Sequence, residues 1–255
     1  MTEQEALALV LRDPEQDEPR WQYASLMDSA GDARGEFIRL QIAEALAENQ
    51  SARTIYGLRA NLLRQSRGGE WAAGVAPLVA DYQFQRGFVA AVKMPARAFL
   101  ERAPTLFSRA PIRHLDLSDV RECAEELFAS PHLLHIRSLS MNQCQLDDGD
   151  VMRFANSPYV RELRWLSLAL NRIGLQGAEW LAMSPNLPKL LYVNFRGNEV
   201  DPGQQFTHDQ GYVVDSWLPE EGRELEARFG PLRWLHCEAR TLNEVPPDRF
   251  AISRE

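Results

Sequence analysis

Residues able to do chemistry are few in this 255-residue chain, and they do not converge. His132 and His135 stand at i, i+3, a spacing that lets two imidazoles share one face, but no third Cys or His follows at ligand spacing. His208 and Asp209 form an acid–base dipeptide without an identifiable nucleophile beside it. Asp147, Asp148 and Asp150 in QLDDGD resemble a calcium loop, but the EF-hand spacing and its bidentate Glu at position twelve are missing. Acids at that point suit the N-terminus of a helix, where the exposed N–H groups carry partial positive charge. Gly68-Gly69 in RGGEW lacks the strand-then-helix context of a phosphate loop, and no G-x-S-x-G elbow occurs. Cys123, Cys144 and Cys237 are scattered and odd in number, with no Cys-x-x-Cys pair. The expectation is a protein that is not an enzyme and has no catalytic residues, no cofactor and no metal.

Bulk properties narrow the partners. Hydrophobic residues make up 45 % and charged residues 25 %, with a formal net charge of −8. Such a composition is that of an ordinary globular chain with material for a core. The acidic balance argues against nucleic acid, whose phosphates require a concentrated basic surface. The opening MTEQEALALVLRDPEQDEPR has acids where an export signal needs basic residues. No apolar run approaches the roughly 18 residues of a membrane span. With unpaired cysteines, these features predict a cytoplasmic protein with neither a membrane nor a nucleic-acid partner.

Residues 1–80 read as helical. Thr2 and Glu5 form a capping box ahead of Ala6, Leu7, Val10 and Leu11, and Asp13-Pro14 ends that helix. Pro19 opens a second helix through Met27, closed by Gly31. Phe37, Ile38, Ile42, Ala45 and Leu46 share a face of a third. A fourth is expected over Arg53–Gln65, punctuated by Gly68-Gly69, with a short helix from Trp71 to Val79. From residue 84, FQRGFVAAVKM has strand composition, and Pro95 ends it.

The chain then repeats. Ser130-Pro131, Ser157-Pro158 and Ser184-Pro185 are 27 residues apart, twice. Each Pro is followed, eight residues on, by a short apolar alternation: Leu139/Met141, Leu166/Leu168, Val193/Phe195. Three residues further stands Cys144, Asn171 or Asn198, and two beyond that Leu146, Ile173 or Val200. Leu115/Leu117 is an earlier copy without the Asn, and Leu235/Cys237 a degenerate later one.

A 27-residue unit of strand, Asn or Cys turn, helix and return loop lies in the leucine-rich-repeat range. LRWLSLALNRIGLQGAEWLAMSPNLPKL resembles the ribonuclease-inhibitor-like class of these repeats, and the resemblance spans residues 112–203. Stacked units of that kind bury a shared apolar ladder that one unit cannot bury alone. Asn171 and Asn198 are expected to be structural, each satisfying backbone groups at a bend. Upstream, GDARGEFIRLQ (31–41), FQRGFVAAV (84–92) and APIRHLDL (110–117) resemble the bacterial repeat-companion domain, with Arg34-Gly35-Glu36-Phe37 the most specific match. That family is known from large paralogous sets in bacteria and brings no catalytic activity; it implies a helical companion and cap.

The expected fold is therefore α/β: a short leucine-rich-repeat solenoid of parallel strands and outer helices behind an all-α companion region. Its parts are a companion domain (1–80), repeats (81–203) and a C-terminal cap with a loop insertion (204–255). In the cap, EEGRELEARFGPLRWL is expected to form a helix stopped by Gly230 and then a last strand, ahead of the Pro-rich NEVPPDRF.

Strand alternation fixes which residues face away from the apolar ladder. These are His114, Asp116 and Ser118; Ser138, Ser140 and Asn142; Trp165, Ser167 and Ala169; and Tyr192, Asn194 and Arg196. Trp234 is the expected continuation in the last strand. The aromatic column through Trp165, Tyr192 and Trp234 either anchors a partner or packs on Phe206, Tyr212 or Trp217 of the insertion. Expected partner-binding residues are Asp116, Ser140, Trp165, Ser167, Tyr192, Asn194, Arg196 and Trp234. The function this implies is protein–protein interaction through the concave face. Three alternatives remain: an inhibitor or immunity-like protein for a basic partner, an enzyme using the 204–218 loop, and a purely structural, self-assembling companion protein.

Overall fold

The computed structural model describes residues 1–236, apart from Gly211 and the side chain of His208. Cys237 and the Pro-rich tail fall outside the described residues. The architecture is mixed α/β with mostly parallel strands. Two compact units divide the chain: Met1–Val92 with Arg102–Ile112, and Lys93–Glu101 with Arg113 onward.

In the first unit four helices come first: α1 (Glu3–Arg12), α2 (Glu18–Ser29), α3 (Arg34–Leu46) and α4 (Gln50–Trp71). The expected Thr2–Glu5 capping box opens α1, each side chain bonding the other's backbone N–H. Ala6, Val10, Tyr23, Ala24, Met27, Ile38, Ile42 and Phe88 form one core. The Arg-Gly-Glu-Phe motif serves that core. Phe37 is fully buried, and a Cβ on Gly35 would meet the Ala24 carbonyl at 2.7 Å, so only glycine lets α3 approach α2. Arg34 lies over the rings of Tyr23 and Phe88 at 5.0 and 4.9 Å, and donates to the Tyr23 hydroxyl. Tyr23 in turn donates to Glu3, and burial pushes its phenol well above the usual range.

The strand expected from residue 84 is a hairpin, β1 (Asp81–Gln85) and β2 (Phe88–Pro95). Arg86 (φ +50°) and Gly87 (φ +85°) make the two-residue turn that such a hairpin needs. Arg86 pairs with Asp17, the Gly87 N–H donates to Gln41, and a Cβ on Gly87 would strike Ile38. The two upstream motifs are thus one packing unit.

Two expectations are corrected here. α4 runs unbroken through Gly68-Gly69: Gly68 is buried inside the helix, with the Arg64 and Phe84 side chains 3.2 and 3.6 Å from where a Cβ would stand, and is not a stop. Residues 76–78 form only a 3-10 turn. A helix unforeseen in the sequence, α5 (Ala96–Arg109), follows Pro95 directly. It buries Ala96, Phe99, Ala103 and Leu106 on one stripe and contains Pro104.

In the second unit the Lys93–Pro95 end of β2 leads a row of strands: β3 (His114–Ser118), β4 (Ser138–Ser140), β5 (Trp165–Ser167) and β6 (Tyr192–Asn194). The last four are parallel, and register places Leu115, Leu139, Leu166 and Val193 side by side, all buried. Burying one such leucine contributes about 2 kcal/mol. Helices α6 (Ala124–Phe128), α7 (Asp148–Ala155) and α8 (Leu175–Met183) alternate with these strands.

At each bend the predicted satisfaction of backbone groups is met. The buried Asn171 accepts from the N–H groups of Cys144 and Leu146 at 2.9 and 3.1 Å. It donates to the carbonyls of Met141, Leu168 and Ala169 at 2.9, 2.8 and 3.3 Å. Asn198 repeats the pattern with Ile173, Leu168 and Phe195, and the Cys144 thiol bonds the Leu117 carbonyl. Four residues in register around these bends, Asp119, Gln143, Leu170 and Gly197, all have φ between +56° and +74°.

Capping is shared between units. Ser157 and Ser184, of the Ser-Pro pairs, donate to the carbonyls of Phe128 and Ala155 at the ends of preceding helices. Asp147 and Asp150 form a capping box on α7, the helix start expected there. Asp148 instead reaches forward to accept from the Gly174 and Gly177 N–H groups, at 2.8 and 3.0 Å, at the otherwise uncapped start of α8.

Beyond β6 the expected loop insertion is a two-stranded antiparallel ribbon, β7 (Gln205–Asp209) and β8 (Tyr212–Trp217). Helix α9 (Glu220–Phe229) follows, with Leu225 buried. Of the expected last strand only the start is described: Arg233–Leu235 form a 3-10 turn, with Trp234 against Phe195 at 6.0 Å between ring centroids, and Cys237 lies outside the described residues.

Two outcomes follow. Asn171→Ala strands two amides and three carbonyls, and is expected to cost on the order of 3 kcal/mol in urea denaturation. Leu170, half exposed at φ +59°, carries the left-handed strain of a non-glycine residue. Leu170→Asn is expected to raise stability by up to about 1 kcal/mol in the same measurement, Asn being tolerant of that region.

Candidate functional site

Among the described residues the candidate catalytic groups do not gather into one site. His132 and His135 stack at 6.5 Å between ring centroids, and burial holds both imidazoles below their ordinary pKa. Among the described residues no three His, Cys, Asp or Glu side chains gather as a metal site. Asp209 is exposed on the ribbon, and the side chain of His208 lies outside the described residues. Burial raises the thiols of Cys123 and Cys144, which disfavours the reactive thiolate.

The strands do bring the expected interaction residues together. One row runs His114, Ser138, Trp165, Tyr192; the next runs Asp116, Ser140, Ser167, Asn194. Arg196 stands beyond the end of β6, its carbonyl accepting from the Leu170 N–H. Trp234 is not on this face: it is 5 % exposed and caps the core beside Phe195.

Exposure differs along the rows. Trp165 and Ser140 are 4 % exposed, and neither the Trp165 Nε1 nor the Ser140 Oγ has a hydrogen-bond partner. Trp165, expected as an exposed anchor, packs against Tyr192 at 5.2 Å between centroids. Two of the ribbon rings expected as a possible cover, Tyr212 and Trp217, stay 79 % and 45 % exposed, and Phe206 is half-buried. Ser167 is buried in a polar chain: its hydroxyl donates to Asn142 Oδ1 at 2.8 Å and accepts from Asn194 Nδ2 at 3.1 Å. Tyr192 and Asn194 are half-buried, as are Asp116, Ser118 and Asn142, and Arg196, the one exposed position among these, lies on the β6 side.

Charge is sparse on the face. Asp116 is largely shielded and pairs with Lys93 at 3.4 Å. At the edge below the strands, Glu162 is held under the usual carboxylate range by its bond from Lys189 and by Arg137. The arrangement offers hydrogen-bond donors and acceptors on a fixed spacing, with no nucleophile beside a base.

Sequence reasoning missed a polar cleft of about 440 Å3 between α3 and α4. Phe37, Gln41, Glu44, Arg53, Gly57 and Arg64 are among its lining residues. Burial raises the pKa of Glu44, partly offset by Arg53, and Gly57 leaves the room its carboxylate occupies. The i, i+3, i+7 series Phe37-Leu40-Glu44 shows how little a lone acid at the end of an apolar stripe signals in sequence.

The burial contrast predicts two different outcomes on stability. Trp165→Ala is expected to cost about 3–5 kcal/mol, as for a large buried ring. Arg196→Ala is expected to stay within about 0.5 kcal/mol of the parent chain. Urea denaturation of the two variants separates the core ring from the surface cation. In comparisons with known proteins, no family model matches this chain, and no curated protein matches it.

Proposed function

We propose that the chain is a non-catalytic protein-interaction scaffold. In this reading residues 112–203 are a short ribonuclease-inhibitor-like leucine-rich-repeat solenoid, preceded by a repeat-companion module and used in a reducing cytoplasm. The observation that carries it is the strand register. Side chains 27 residues apart stand on adjacent parallel strands, so the face presents evenly spaced groups whose identities can vary without disturbing the apolar ladder behind them. The Asn ladder supports the repeat reading, since it ties each bend to its neighbour by the same bonds. Recognition then falls to the open β6 side of the face, through Tyr192, Asn194 and Arg196. Tyr and Arg are the residue types that contribute most at protein interfaces. Fold-level analogy enters this reading, because a solenoid hosts many functions.

The test is affinity capture from native lysate with the full chain as bait, beside a Tyr192→Ala/Arg196→Glu variant. The parent is expected to retain a defined protein that the variant loses, with the two melting within a few degrees of each other. Equal capture by both, or none by the parent, would remove the reading.

A further inference from the structure

The two faces of the β7–β8 ribbon differ. Cross-strand register sets Gln205 beside Trp217, Thr207 beside Asp215 and Asp209 beside Tyr212, and alternation puts these six side chains on one face. The opposite face holds Phe206, which is half-buried, with Val213 and Ser216. On the first face Gln205 is half-buried and the other five are exposed. Each ring there has a carboxylate beside it. Asp209 lies across the ribbon from Tyr212, and Asp215 stands two residues before Trp217 on the same strand.

These carboxylates are not neutralised within the chain. Asp215 accepts from the N–H of Ser216 at 2.8 Å, and among the described residues no ion pair reaches Asp209 or Asp215. Residues 205–221 add Glu220 and Glu221, both exposed, and hold no Lys or Arg. Arg223, the next basic residue along the chain, donates to the Leu218 carbonyl. The edge of β8 is a poor template for an added strand, because its register slips opposite Thr207 and His208 and a bulge blunts edge pairing. What the ribbon offers a partner is therefore its side chains.

An aromatic face attracts a cation through its quadrupole, and a carboxylate beside the ring adds its charge. The ribbon has two such ring-and-carboxylate seats, at the Asp209 and Gln205 ends of β7. They are four residues apart, about 13 Å along a strand. In an extended segment, residues i and i+4 point to the same side at that distance, whereas in a helix they stand only about 6 Å apart. We propose that this face binds an extended basic segment of a partner protein. Its Lys or Arg side chains at i and i+4 sit on Tyr212 with Asp209 and on Trp217 with Asp215. Charge selects this occupant: two copies of the ribbon would set carboxylate against carboxylate, and the whole chain carries a net charge of −8. The inference is independent of recognition at Tyr192 and Arg196.

The test is fluorescence anisotropy of labelled synthetic peptides titrated with the full chain. The probe is a short peptide of Thr and Val with two arginines at i and i+4. Its controls carry the arginines at i and i+3, which an extended chain points to opposite sides, or glutamates at i and i+4. The i, i+4 arginine peptide is expected to bind more tightly than the i, i+3 peptide, and the glutamate peptide not to bind. Asp209→Asn/Asp215→Asn and, separately, Tyr212→Ala/Trp217→Ala are each expected to weaken binding about tenfold. All four positions are exposed, and circular dichroism checks that both variants keep the parent fold. Tyr192→Ala/Arg196→Glu is expected to bind the peptide as the parent does, which separates this surface from the β6 face. Raising sodium chloride is expected to weaken the parent's binding, since exposed charges are screened. Equal affinity for the two arginine spacings, binding unchanged in both ribbon variants, or no binding by the parent would each overturn the proposal. Self-association of the parent in analytical ultracentrifugation that is lost in Tyr212→Ala/Trp217→Ala would give the face to a second copy and overturn it as well.

Discussion

A strand that turns at once into a helix must bury backbone groups that neither element pairs, and the second unit is organised around that constraint. Asn171 meets it with one side chain. Its carboxamide has two acceptor sites and two donor hydrogens, and these engage five backbone groups on two successive bends. No other side chain of that length presents both kinds of group in one plane. Because the five partners come from both the 141–146 and the 168–169 segments, the same side chain that closes one bend also fixes its distance from the bend before. Spacing between units and closure of the turn are thus a single requirement.

The same sharing recurs at the other joints. Ser157 and Ser184 close helices that belong to the preceding unit, and Asp148 caps a helix that belongs to the following one. The carbonyls of Arg113, Arg137 and Arg164 each accept two N–H groups from the next strand's entrance. A unit cut from its neighbours would therefore lose caps as well as apolar cover. Stability in such an array is a sum over interfaces more than over units, and the terminal units depend on dissimilar covers. Trp234 and Phe195 provide one of these after β6.

Much of this was legible because it is periodic. The 27-residue spacing of Ser-Pro, apolar pair and Asn marks residues whose physical duties repeat, and the register follows from it. The Arg-Gly-Glu-Phe and Gln-Arg-Gly-Phe motifs were legible as signatures but not as contacts; Gly35 and Gly87 are there for close approach, which a sequence does not display. Gly68-Gly69 was misleading because a glycine that ends a helix and one inside it look alike in sequence. Helix α5 escaped because Pro95 read only as the end of a strand, while Ala96, Phe99, Ala103 and Leu106 keep helical spacing across Pro104. Alternation told which face Trp165 is on but not what lies over it. Face is a local property of the strand; burial is decided by groups distant in sequence.

That distinction governs where recognition can sit. In the middle of the array each outward side chain has neighbours on both flanking strands, so small residues such as Ser140 and Ser167 sink between them and even Trp165 is enclosed. At β6 the pattern changes: Tyr192 and Asn194 are flanked by β5 on one side, and Arg196 reaches solvent beyond the strand's end. An array of only four parallel strands in register has a large share of such end positions. The physical consequence is that its ends, where the repeat gives way to the ribbon and to α9, carry more of the accessible surface chemistry than its regular middle, whose polar groups are spent on holding neighbouring strands in step.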